Sequence, residues 1–215
     1  MAVRRWKMNL KRRTAVPAPK TDGQERRALS GGELRMVQGD DGIGTAAGYA
    51  VLWNNRTDIG GWWTEQFAPG CFTRSLGERD VVALHSHDDS RPVGRRSRGT
   101  LRLNEDDRGL AFENDLPDTS DGRDLKVQLE RGDIEGMSFR FVARKQEWDE
   151  TVDPPLRTIQ EADLIEVTYT AFPAYPDTEA GMRSLEQSRT ERRQHNKSGA
   201  LARLRMKQAQ AERKI

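Results

Sequence analysis

Short alternating runs of apolar and polar residues dominate the middle of this 215-residue chain. In "GMSFRFVARKQEW", which starts at Gly136, Met137, Phe139 and Phe141 fall on one side and Ser138 and Arg140 on the other. That is the period-2 signature of a half-buried strand. "RTIQEADLIEVTYTAF" predicts a second long strand, joined to the first by a loop carrying "DPP". On it, strict alternation puts Leu164, Glu166, Thr168 and Thr170 on one face and Ile165, Val167, Tyr169 and Ala171 on the other. "GYAVLW" and "VVALHSH" predict two shorter strands, and "GTLRLNEDDRGLAFENDL" a hairpin turning at its Asn, Asp and Gly residues. "FAPGCFTRSL" predicts a turn into a short helix. "PDTSDGRDLKVQLERGD" predicts the best internal helix. Thr119 or Ser120 would cap it, Leu125 and Leu129 lie four apart, and Gly132 stands where a C-terminal stop belongs. The fold class expected is mainly β (α+β): roughly seven strands in a small antiparallel barrel flanked by helices.

The two ends break this pattern. Residues 1–30 contain "AVPAPK" and show no sustained periodicity, which predicts a flexible arm. Residues 178–215 are rich in Ala, Gln and Arg, and predict a charged helix without a wide apolar face, outside the core. The body expected between them is 31–177. Charge follows the same division. The N-terminal arm carries nine Lys/Arg against two Asp/Glu, the C-terminal tail ten against four, and the body 17 against 28. An acidic body between basic arms argues against direct nucleic-acid binding by the body. It suits arms that either solubilise or tether the protein to an acidic partner.

Other classes are narrowed by composition. No apolar run approaches the ~20 residues that span a bilayer, and the N-terminus lacks an apolar signal segment. Cys71 is the single cysteine, so no internal disulfide framework or Cys-pair zinc site can form. No cofactor is implied. The tryptophans at 53, 62, 63 and 148 do not form a stacking platform on adjacent strands, as a single-strand nucleic-acid binder would need.

Three histidines exist, and "LHSHDD" holds two of them. Read as a strand, His85 and His87 share a face. They could be a metal pair, although no third ligand of matching type is evident, or surface histidines, or one could be a general base. A base needs a nucleophile. Cys71 is one candidate, but a cysteine in such a turn is more often a small buried residue. Ser138 is the better one, on the polar face of a rigid strand, with Gly136 allowing close backbone approach. Glu166 is the candidate third group, to orient the imidazole and stabilise its charged form. A mid-strand carboxylate needs a partner, and a cross-strand Arg would serve equally well. Asp88 is less suitable, because strand neighbours point to opposite faces.

These residues sit in motifs that together resemble the HK97-type prohead (capsid-maturation) serine proteases of tailed bacteriophages, from about Gly48 to Thr178. In order they are "GYAVLWN", "EQFAPGCFTRSL", "LHSHDDSRPVGR", the hairpin and helix from Gly99 to Leu125, "GDIEGMSFRF" and "LIEVTYTAFPAYPDT". The resemblance implies a fold like the herpesvirus capsid protease, with the nucleophile on Ser138 and the base on His87, the His before Asp. Glu166 holds the late position of the third member; a dyad is the alternative. It implies an endopeptidase inside the prohead, in the host cytoplasm, that cuts scaffold, or the scaffold-like segment of the major capsid protein, and itself. Partners implied are those capsid proteins and a second copy of the chain. One departure stands out: the family pattern after the serine is Phe-Gly-Phe, whereas here it is Phe-Arg-Phe, with Arg140 on the Ser138 face. It keeps open a second reading, a catalytically silent assembly or scaffolding component.

Overall fold

The computed structural model describes residues 23–30, 33–37 and 43–171, and in the C-terminal tail 185–186, 189–190 and 193–194. Strands β1 (Gln24–Ser30), β2 (Arg35–Val37), β3 (Thr45–Leu52), β4 (Thr57–Ile59) and β5 (Trp63–Phe67) precede the short helix α1 (Thr73–Glu78). Then come β6 (Val82–His85), β7 (Asp88–Arg95), β8 (Leu101–Glu105), β9 (Gly109–Asp115), helix α2 (Ser120–Arg131), β10 (Gly136–Asp149) and β11 (Leu156–Thr170). The protein is mainly β. Its strands form a seven-stranded sheet, β1-β10-β11-β5-β4 with β6 and β7 joined through β11, and a four-stranded sheet, β2-β3-β9-β8.

Two features of the expected barrel differ. Among the described residues the strands form these two sheets and no closed ring. The large sheet is also mixed: β11 is antiparallel to β10, but runs parallel to β5 at its start and to β6 at its end. A 15-residue strand is long enough to pair with two short strands in succession along one edge.

Both sheets share one apolar core. On β10 the alternation holds: Met137, Phe139 and Phe141 are buried in that core. The ring centroids of Phe139 and Phe141 lie 5.2 and 5.1 Å from that of Phe67, edge to face. Such packing fixes the strand, and with it whatever the opposite face carries. On β11 strict alternation fails. The register shifts so that Arg140 faces Glu166 while Phe141 faces Leu164, and Leu164 turns into the core instead of sharing the Glu166 face. The extra residue, Ile165, makes a bulge.

Helix α2 starts as expected: the Thr119 hydroxyl accepts from the Gly122 N–H, and Gly132 closes the helix at φ 77°. The expected flexible arm over 1–30 does not extend through its last residues, since 24–30 form β1 beside β10. The tail, expected to stay outside the core, touches the body: Leu185 is buried with Ile59, Trp63 and Trp148. The rest of both terminal segments lies outside the described residues.

Candidate active site

Ser138 sits on the face of β10 opposite its phenylalanines, and it too is buried. Glu166 sits on the adjacent β11, on the same side. His87 arrives from a different direction. The sequence pattern placed it on a strand with His85, but that strand ends at His85. Ser86 and His87 are the two central residues of the β6–β7 hairpin, with φ 56° and 57°. Both angles are left-handed, as a two-residue type I′ turn requires. A histidine held there costs backbone energy, and such strain clusters at functional positions. The Ser86 N–H donates to the Tyr169 carbonyl, tying the turn to β11. His85 and His87 therefore do not form a paired metal site on one strand face.

The three side chains make a continuous chain of contacts. His87 Nε2 lies 2.8 Å from Ser138 Oγ, and His87 Nδ1 lies 2.5 Å from Glu166 Oε1. Glu166 is 3% exposed and His87 12% by side chain. A buried carboxylate on one ring nitrogen and a hydroxyl on the other is the arrangement that orients an imidazole toward a serine. Glu166 also has the cross-strand Arg: Arg140 Nη2 lies 3.2 Å from its second oxygen, Oε2. The two contacts coexist, because the two oxygens serve different partners.

The other candidates are placed elsewhere. His85 is buried, and burial, with Arg91 nearby, pushes its pKa below the ordinary imidazole value. The Asp88 carboxylate accepts from the N–H and hydroxyl of Ser90, and these bonds hold its pKa below the ordinary value. Cys71 is buried ahead of α1, and desolvation raises its thiol far above the range of a reactive cysteine. Among the described residues, no group of three or more His, Cys, Asp or Glu is placed to hold a metal.

The "VGR" of the third motif does packing work that the sequence did not reveal. A Cβ on Gly94 would stand 1.8 Å from Asn114 Oδ1. Asn114 is fully buried and donates to the Val93 carbonyl and to the Tyr169 hydroxyl. Gly94 thus lets β7 pass a buried amide that bridges it to β11.

Comparison with known proteins gives the family of the chain. A family model described as "Caudovirus prohead serine protease" matches residues 32–193. The "Prohead protease" of Enterobacteria phage HK97 is 32% identical over 153 residues, which are 69% of this chain and 63% of that protein. The chain thus spans less than two thirds of that relative's length. No solved structure matches. With the family model covering most of the folded body, the chain belongs to the caudovirus prohead serine protease family.

Proposed function

We propose that the chain is a serine endopeptidase of phage capsid maturation. The observation that carries this reading is the contact chain from Glu166 through His87 to Ser138. Ser138 Oγ attacks a peptide carbonyl while His87 Nε2 takes its proton. The new C–O bond makes a tetrahedral intermediate. On its collapse the C–N bond breaks, and His87 gives the proton to the leaving amine. Water, deprotonated by the same nitrogen, then cleaves the Ser138 ester and restores the hydroxyl. Glu166 holds the ring in place and balances the charge it acquires.

The substrates in this reading are scaffold, or the scaffold-like segment of the major capsid protein, and the protease itself, inside the prohead in the host cytoplasm. The body in this reading is 31–177 with β1 added to its sheet, and the rest of the basic arms serve as packaging tethers or self-cleaved segments. For the fold we propose kinship with the herpesvirus capsid protease barrel, supported by two sheets sharing one core.

The test is co-expression with the candidate capsid subunit, comparing wild type with Ser138→Ala by intact mass. Wild type should shorten the subunit and itself, and the variant should shorten neither. Full-length products in both would favour the silent assembly component instead.

A further inference from the structure

The Ser138 hydroxyl has a second partner. It lies 2.8 Å from the Arg27 carbonyl oxygen, and Ser138 is fully buried. The neighbour is β1, which runs antiparallel along β10 with Ala28 opposite Ser138. An extended segment therefore lies on the strand that carries the nucleophile, with a peptide carbonyl at its hydroxyl. A substrate added as a β-strand would meet that hydroxyl in the same way. The hydroxyl has one proton. When it is donated to Arg27, the His87 ring must donate its own N–H to Ser138 Oγ, and the histidine cannot act as a base.

The inward side of β1 is unusual for a core strand. Glu25 and Arg27 are both buried, facing Phe141 and Phe139. Arg157 holds the Glu25 carboxylate with two nitrogens, at 2.7 and 2.8 Å. Arg27 Nη2 lies 3.0 Å from Glu65 Oε2. The four charges divide into two neutral pairs. Glu25 and Arg27 pair within β1 at 2.7 Å, and Glu65 and Arg157 pair within the body at 2.7 Å. Removing β1 leaves the body with a satisfied pair rather than a stranded buried charge, the costly case. Residues 27–29 of β1 also line a cleft with Leu52, Ile59 and Phe139, so a cavity adjoins β1 beside the strand that carries Ser138. Finally, β1 precedes the residues that match the family model.

We propose that β1 is a resident inhibitory strand in the substrate site, and that Arg157 and Glu65 are the specificity residues of that site. The substrate is an extended peptide that replaces β1 on β10, with an acidic residue two positions before a basic one, whose carbonyl faces Ser138. This rests on Ser138 being the nucleophile.

The test uses the purified full chain and a fluorophosphonate probe, with labelling of Ser138 followed by mass spectrometry. The double variant Glu25→Lys/Arg27→Glu sets like charges against Arg157 and Glu65 and leaves the body's own pair intact. It should label at least about tenfold faster than wild type, since reactivity scales with the fraction of open site. A chain with a site-specific protease sequence inserted between residues 31 and 32, cut after folding, should show the same rise. This decides the matter if the double variant does not fold. Equal labelling of wild type and cut chain, with the N-terminal piece released, overturns the inhibitory role. The free peptide QERRALS should slow labelling of the cut chain, and the same peptide with its Glu and second Arg exchanged should not. Equal effects overturn the specificity assignment. If wild type cleaves the capsid subunit and labels as fast as the opened forms, only β1's role is lost. If no form labels or cleaves, the nucleophile reading fails and takes this proposal with it.

Discussion

Arg140 stands directly opposite Glu166 across the β10–β11 pair, and its Nη2 lies 3.2 Å from Glu166 Oε2. His87 takes the other oxygen of the same carboxylate. The arginine where the family pattern has glycine is therefore a counter-charge to a buried acid, and does not displace the histidine.

Arg140→Gly should consequently retain cleavage, within about tenfold of wild type. It should lose stability by about 1–3 kcal/mol, because Glu166 loses one of two partners and β10 gains a flexible residue. Chemical denaturation alongside a cleavage assay reads both. A loss of activity as large as that of Ser138→Ala would give Arg140 a direct role in the reaction.

Glu166→Gln keeps the shape of the side chain and removes its charge. The rate should fall by roughly 10²–10⁴-fold with little change in KM, as expected for a group that acts on the imidazolium. A near-normal rate would favour a Ser138–His87 dyad.

The two histidines should separate cleanly. His87→Ala should lower the rate by roughly 10³-fold or more, whereas His85→Gln should leave it within about threefold, since the ring of His85 has Gln128 as its side-chain partner and the contacts to Ser138 and Glu166 are made by His87. His85 should instead show in the pH dependence of stability. Its folded pKa lies below the ordinary 6.5, so below that pH the unfolded chain binds more protons and wild type loses stability as pH falls. His85→Gln should flatten that part of the profile, measured by thermal unfolding at pH 7 and pH 5. An unchanged slope would mean that His85 does not titrate on unfolding.

Gly94→Ala should cost about 1–3 kcal/mol by overpacking, because its Cβ would meet Asn114 Oδ1. Adding Asn114→Ala should recover part of the loss, even though Asn114→Ala is itself destabilising. Strict additivity of the two would show that the clash is relieved elsewhere.

Much of this protein was legible in its sequence, and local rules explain why. The inward phenylalanines of β10, the β8–β9 hairpin and the Thr119–Gly132 limits of α2 depend on alternation, turn chemistry and capping within a few residues of one another. Ser138, His87 and Glu166 could be singled out as chemical types in ordered motifs. Four things depended on contacts distant in sequence. His87 sits on a turn rather than a strand, and that turn is held by the Ser86 N–H bond to the Tyr169 carbonyl of β11. Leu164 changes face because of a bulge that only the β10 register imposes. Gly94 is small because an amide twenty residues away fills its space. The last residues of the expected flexible arm are a strand, since the partners of Glu25 and Arg27 come from Glu65 and Arg157. Sequence determined which side chains could do chemistry and which faces had to be buried. Tertiary structure decided which of them meet, because register, turn placement and counter-charges are set by strands that pair only once the chain has folded.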